Sequence, residues 1–194
     1  MDKKTLELLK NHPLRHAAEE FDLAVIAYHK MAKIAVGDFN EYEKAWREFL
    51  HRVERVWLKI QAAVHDMPGW QKIESEVTKL RNEDPLLSYV HQARDVDQHT
   101  VLDVVKDWDP QFKATQKGNK VELNWTAWDR PLLPVKKRDV VYNPPDSHLG
   151  KSIEHLKHKG NAEPRVVAEL ALEFYCGLLN RVSGEVVGSK RDLI

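Results

Sequence analysis

The residues of this 194-residue chain best suited to chemistry cluster in one stretch, LRNEDPLLSYVHQARDVDQHTV, at positions 80–101. Within it His91, Asp95 and His99 recur every four residues, so on a helix they share a stripe about 80° wide. Imidazole and carboxylate groups bind divalent metals, but His91 and His99 would lie roughly 12 Å apart along the helix and could not both contact one ion. We favour a solvated helix face with an Asp95/His99 pair, and we expect no metal and no cofactor.

Arg94 and His99 in the same stretch are separated by Asp95-Val96-Asp97-Gln98. This segment resembles the arginine, four residues, histidine motif of the HEPN ribonucleases, including the polar residue directly after the arginine. The resemblance implies a helical bundle, a homodimer and metal-independent cleavage of RNA. By the same resemblance His99 is expected to act as general acid or base, Arg94 to stabilise the charged phosphoryl transition state, and Asp95 to orient them.

A wider part of the chain also resembles a set of small uncharacterised bacterial proteins. The matching segments are Asp84-Pro85-Leu86-Leu87-x-Tyr89, Ala93-Arg94, His99, Pro144-Pro145, His148-Leu149-Gly150-Lys151 and Ala168-Glu169-Leu170-Ala171. That resemblance implies no particular activity. On an unbroken helix Arg94 and His99 point about 140° apart, so the two side chains would converge only through a local distortion or across a dimer.

A purely structural role is the alternative for Arg94. Asp97 lies about one helical turn away, so an Arg94/Asp97 pair is expected at the edge of the core, where an acidic residue of a neighbouring helix could extend it. Such a pair would satisfy polar groups that are partly removed from water.

A second group of candidate residues follows position 110. The loop Pro-Pro-Asp-Ser-His-Leu-Gly-Lys would present His148 and Lys151 to a phosphate. Trp125 and Trp128 are candidate stacking surfaces for single-stranded nucleic acid. With His91, these four residues make up the predicted binding set; the alternative is a solvated loop region whose tryptophans pack on the bundle.

The charge of the chain is balanced overall but unevenly distributed. Thirty Lys and Arg residues match thirty Asp and Glu residues, which argues against a wholly basic nucleic-acid coat or an acidic disordered tail. Residues 111–165 nevertheless hold eleven basic and six acidic residues. The sequence therefore predicts a basic segment attached to an acidic bundle.

Composition narrows the class of protein further. The mean hydropathy is −0.55 and hydrophobic residues make up 42% of the chain, while no apolar run suits a membrane span or a signal peptide. We expect a cytoplasmic protein without membrane partners. The single cysteine, Cys176, excludes an internal disulfide and a cysteine-cluster metal site, and we expect it to be buried.

Two long segments, 14–36 and 42–64, show the three-and-four apolar spacing of helices. Pro13 suits a first helical position, and Gly37-Asp38 supply a stop and a cap, so these helices are predicted to form an antiparallel hairpin. The inner face predicted for the second helix consists of Tyr42, Ala45, Trp46, Phe49, Val53, Val56, Trp57, Ile60 and Val64.

A third helical stretch is predicted from Trp70 to about Trp108. We expect a kink or a restart at Asp84-Pro85, where the proline removes a donor and Asp84 can cap a new helix. The inner face predicted after this break consists of Leu86, Val90, Ala93, Val101, Val104 and Trp108.

The pattern changes after position 110. Val121, Leu123 and Trp125 alternate with polar residues, which predicts a strand that pairs with residues 111–116 as a hairpin. A second strand is predicted over residues 135–142, and a last helix begins after Glu163-Pro164 and frays after Gly184. The predicted fold is a mainly α single domain over 1–194: a bundle of four or five helices from 1–110 and 163–184, with a β-hairpin and loop insertion at 111–162.

Three functions are compatible with these residues. The first is a HEPN-like metal-independent ribonuclease that works as a homodimer and binds RNA through the basic segment. The second is a non-catalytic helical interaction module that binds a protein partner through the basic, tryptophan-containing insertion. The third, a metal-dependent hydrolase built on His91, Asp95 and His99, ranks lowest.

Overall fold

The structure is a computed structural model that describes residues 12–34, 38–99, 112–117, 120–125, 135–137, 140–142 and 164–187. It describes only the backbone of residues 96–99, of the four strands and of residues 186–187.

Five helices dominate the described part of the chain, which confirms the mainly helical prediction. They are α1 Arg15–Lys33, α2 Phe39–Val64, α3 Trp70–Glu83, α4 Pro85–His99 and α5 Pro164–Val182. A π-helical turn, Ser183–Val187, follows α5 directly. None of the described helices is long and apolar enough to cross a membrane.

Short polar side chains set the beginnings of two helices. The Asp38 carboxylate accepts a hydrogen bond from the Glu41 backbone N–H at 3.3 Å and caps α2. Asp84 Oδ1 accepts from the backbone N–H groups of Leu86 and Leu87, each at 3.0 Å. The predicted restart at Asp84-Pro85 is therefore confirmed, because the backbone of Asp84 is extended after α3 and its carboxylate satisfies two of the free donors at the start of α4.

The first two helices form the predicted antiparallel hairpin. Lys30 near the end of α1 pairs with Glu41 near the start of α2 at 3.0 Å, and Glu20 early in α1 pairs with Arg52 in α2 at 2.9 Å. All nine residues predicted for the inner face of α2 are buried. The start of α1 differs from the prediction: the helix begins at Arg15, and Pro13 precedes it in a turn.

The later helices complete the core. Leu86, Val90 and Ala93 of α4 are buried as predicted, whereas the predicted inner-face positions after residue 99 lie outside the described residues. In α5 the buried set is Pro164, Val167, Ala168, Leu170, Ala171, Tyr175, Leu178, Leu179 and Val182. Cys176 is exposed, so the prediction that it is buried is wrong. One residue after buried Tyr175 the helix has turned by 100°, away from the core.

Four short strands lie between α4 and α5 in the sequence. β1 (Phe112–Lys117) pairs antiparallel with β2 (Lys120–Trp125), with Phe112 opposite Trp125. β3 (Val135–Lys137) pairs with β4 (Val140–Tyr142), so the structure has two strands where one was predicted over 135–142. The β3–β4 pair lies next to α4. The remainder of the predicted insertion lies outside the described residues, and its folding as a unit stays a prediction.

Candidate functional site

Three charged or titratable side chains from α2, α3 and α4 meet inside the bundle. Arg81 Nη2 of α3 donates a hydrogen bond to Glu54 Oε2 of α2 at 2.5 Å. The same arginine nitrogen lies 2.9 Å from Nδ1 of His91 in α4, and this imidazole nitrogen is 3.3 Å from Glu54 Oε2. We call Glu54, Arg81 and His91 the charged cluster; it joins three helices through side chains alone.

The charged cluster is mostly buried. Glu54 and Arg81 are buried, and the Arg81 guanidinium lies over the ring of Trp57 at 5.3 Å from its centroid. Trp57 in turn packs against Trp70 with ring centroids 5.7 Å apart. Because a buried charge is costly unless it is paired and hydrogen-bonded, Arg81 needs both the Glu54 carboxylate and the aromatic face.

The protonation of two acids reflects this environment. Burial opposes ionisation of Glu54, but hydrogen bonds from His91 and Arg81 and the adjacent guanidinium charge outweigh it and lower the pKa of Glu54 to about 2. Burial raises the pKa of Tyr175 in α5 to about 12, an effect that the charge of Arg81 reduces and that of Glu54 increases. Glu54 is therefore a carboxylate and Tyr175 a neutral phenol near neutral pH.

Acid is expected to weaken the fold through Glu54. Its pKa is about 2 in the folded chain against an ordinary value of 4.5, so its contribution is present above pH 4.5 and is lost as the pH falls towards 2. The contribution should be on the order of a few kcal/mol. Urea unfolding of the wild type and of Glu54→Gln over this range should show the difference between them shrinking with falling pH. A constant difference would contradict this role for the Glu54 charge.

A cleft of about 280 Å³ opens beside the charged cluster. It is lined by Glu54, Trp57, Leu58, Gln61, Thr78, Arg81, Asn82 and His91. Leu58, Thr78 and Asn82 are exposed at its rim. The cleft thus combines a buried ion pair at one side with neutral polar and apolar groups that solvent can reach.

Arg94 and Asp95 lie further along α4. Arg94 Nη1 pairs with Asp95 Oδ1 at 3.0 Å, and the two side chains are 22% and 15% exposed. Arg94 Nε is buried and has no hydrogen-bond partner among the described residues. Arg94 therefore pairs with the adjacent Asp95, whereas the side chain of the predicted partner Asp97 lies outside the part of the chain that the structure describes.

His91 and Asp95 do not form the solvated stripe that we favoured from the sequence. Both are partly buried, because His91 turns towards α2 and α3 and Asp95 pairs with Arg94. His99 is the last residue of α4, and the structure describes its backbone only. Within the described side chains no group of three or more His, Cys, Asp or Glu residues could hold a metal ion.

Among the remaining predicted binding residues, the structure describes only the backbone of Trp125. This residue ends β2. Trp128, His148 and Lys151 lie outside the described residues. Their roles in binding stay predictions.

Glu54 and Arg81 were missed by the sequence reasoning. A signal for them exists in the helical spacing. Glu54 stands four residues after Leu50 and three before Trp57, both buried, and Arg81 stands four residues after buried Val77. A charged residue at a position that continues an apolar stripe is expected to be buried and therefore paired.

The cleft and the partly buried Arg94–Asp95 pair are thus two neighbouring features of α4, and the cleft is built with α2 and α3. A scan against protein-family models, a search of curated proteins and a search of solved structures each found no match to this chain.

Proposed function

We propose that this protein is a metal-independent endoribonuclease that acts as a homodimer, with Arg94, Asp95 and His99 as its catalytic residues. The observation that carries the proposal is the 3.0 Å contact between Arg94 Nη1 and Asp95 Oδ1 on α4. It fits the role that the HEPN resemblance implies for the polar residue after the arginine, which is to hold the guanidinium in place.

The chemistry required of these residues is limited. A guanidinium stabilises the negative charge that develops on the phosphoryl group, and a histidine transfers a proton to or from the ribose 2′-hydroxyl or the leaving oxygen. The Arg94 side chain is 22% exposed, so part of it remains open to a phosphate while Asp95 restrains its position.

The regular helix favours a dimeric site. α4 is α-helical from Pro85 to His99, and five residues of helix place Arg94 and His99 about 140° apart. Of the two ways to bring the side chains together, a local distortion or a second protomer, the second agrees with this backbone. Each site would then combine Arg94 of one protomer with His99 of the other.

The surroundings of α4 support an RNA substrate. The β3–β4 pair lies next to this helix, and β3 has the sequence Val-Lys-Lys. These lysines belong to the basic segment 111–165, whose excess charge would attract the phosphate backbone in a salt-dependent manner.

The test is cleavage of labelled single-stranded and structured RNA in EDTA. Wild type is expected to cut, and an Arg94→Ala/His99→Ala double variant that is folded by circular dichroism is expected to be inactive. The matched control is Arg47→Ala, which removes another partly exposed arginine paired with a carboxylate, Glu43, at 2.8 Å. It should cleave as wild type does.

Two results would contradict the proposal. One is equal cleavage by the wild type and the double variant, and the other is the absence of cleavage by the wild type on every RNA tested. Binding of RNA or of a protein without turnover would instead support the non-catalytic interaction module.

A further inference from the structure

We propose that the cleft between α2, α3 and α4 binds a single unpaired nucleobase of the RNA substrate. The choice of ligand rests on the proposed ribonuclease function. The residues that carry the argument are Leu58, Gln61, Thr78, Asn82 and His91, which line the cleft around the Glu54–Arg81 pair.

Charge argues for a neutral ligand. The two ionic groups of the cleft, Glu54 and Arg81, are hydrogen-bonded to each other and neutralise each other. Gln61, Thr78 and Asn82 are uncharged. A site for an isolated phosphate or carboxylate would instead be expected to offer a cation that is free to pair with it.

Hydrogen-bonding capacity argues for a ligand with both donors and acceptors. Thr78 and Asn82 have no hydrogen-bond partner among the described residues, and Gln61 donates its Nε2 to Glu74 at 2.9 Å, which leaves its carbonyl oxygen available. His91 uses Nδ1 towards Arg81 and Glu54, so Nε2 remains for a ligand. An amide such as Asn82 pairs well with the adjacent donor and acceptor on the edge of a base.

The size of the cleft and its mixture of apolar and polar groups suit a single nucleobase. The cleft of about 280 Å³ lies just below the range of about 300 to 1,000 Å³ for sites that bind drug-sized ligands. Leu58, 48% exposed, supplies an apolar surface at the rim, and the ring of Trp57, covered by the Arg81 guanidinium at 5.3 Å from its centroid, lies deeper in the lining. Unpaired bases bind in such pockets, against aromatic or apolar side chains and with their edges hydrogen-bonded.

The position of the cleft fits a nucleotide next to the scissile phosphate. His91 precedes Asp95 by one helical turn, which is about 6 Å along the axis of α4. The base pocket and the proposed phosphate site therefore lie on successive turns of one helix. A base held in the cleft would place a neighbouring phosphate of the same strand near Arg94 and make cleavage base-selective.

The experiment is isothermal titration calorimetry of the full chain with each ribonucleoside 5′-monophosphate and with ribose 5-phosphate. At least one nucleotide is expected to bind with about millimolar or tighter Kd, given the small contact area, and ribose 5-phosphate is expected not to bind. Asn82→Ala should weaken binding about tenfold, the effect of losing one paired hydrogen-bonding group. Ser75→Ala, an exposed change on α3 outside the cleft, should leave it unchanged.

Three results would overturn the inference: no nucleotide binding by wild type at millimolar concentration, equal binding of ribose 5-phosphate, or unchanged binding by Asn82→Ala. The titration does not depend on cleavage, because a mononucleotide contains no internucleotide bond. Nucleotide binding by a protein that cuts no RNA would support the pocket and contradict the nuclease, and cleavage without nucleotide binding would do the reverse.

Discussion

A heterodimer of one Arg94→Ala protomer and one His99→Ala protomer is expected to cleave RNA at about half the wild-type rate, although each variant homodimer is at least about a hundredfold slower. In a site made of Arg94 from one protomer and His99 from the other, the heterodimer keeps one complete site and loses both residues from the second. Neither homodimer keeps a complete site.

The expected loss of cleavage rate follows from the roles proposed for Arg94 and His99. A positioned acid or base contributes about 10² to 10⁴ in rate, and removal of one group that stabilises transition-state charge costs about 10² to 10³. Because both groups act on the same phosphoryl transfer, loss of either should slow cleavage at least about a hundredfold, and their effects are not expected to add.

The measurement uses the two variants co-expressed with different tags and purified through both tags in turn. Cleavage of labelled RNA in EDTA is then compared with each variant homodimer and with a doubly tagged wild-type dimer. A doubly tagged dimer of Arg94→Ala with itself is the control for contamination and should not cut. An inactive heterodimer would place Arg94 and His99 of one protomer in the same site and contradict the arrangement across the dimer.

Glu54→Ala is expected to destabilise the fold by about 3 to 5 kcal/mol, the usual cost of removing one partner of a buried ion pair. The variant would leave the Arg81 guanidinium over Trp57, with its side chain 7% exposed and its 2.5 Å carboxylate partner gone. His91 cannot replace that carboxylate, since an imidazole carries no negative charge in either protonation state.

A matched control exists at Glu20. Glu20 of α1 is also buried, but its partners Arg52 and Arg55 have side chains that are 23% and 42% exposed. These arginines can turn towards water when the carboxylate is removed, so Glu20→Ala should cost only about 1 kcal/mol. Urea unfolding followed by circular dichroism measures both variants. Equal losses would contradict a special structural role for the charged cluster.

The helices were predictable because their causes are local. The spacing of apolar residues in α2 identified nine positions that are all buried, and the Asp84-Pro85 dipeptide identified the break between α3 and α4. A proline without a donor and a carboxylate that accepts two nearby N–H groups act within a few residues. Cys176 is exposed because it lies one residue after buried Tyr175, and one residue turns the helix by 100°. The prediction from neighbouring apolar residues did not take this rotation into account.

The sequence by itself determined the helices, their breaks and most of their buried faces. Its resemblance to the HEPN motif singled out Arg94, Asp95 and His99 as candidates, and their catalytic role stays a prediction. Only the tertiary structure decided that His91 belongs with Glu54 and Arg81, which lie 37 and 10 positions away along the chain. The spacing of apolar residues shows which face of a helix is buried. It does not show how three helices are rotated about their axes relative to one another where they pack. That rotation decides which charged side chains become partners, because a buried charge is tolerated only where a neighbouring helix supplies a side chain of opposite charge.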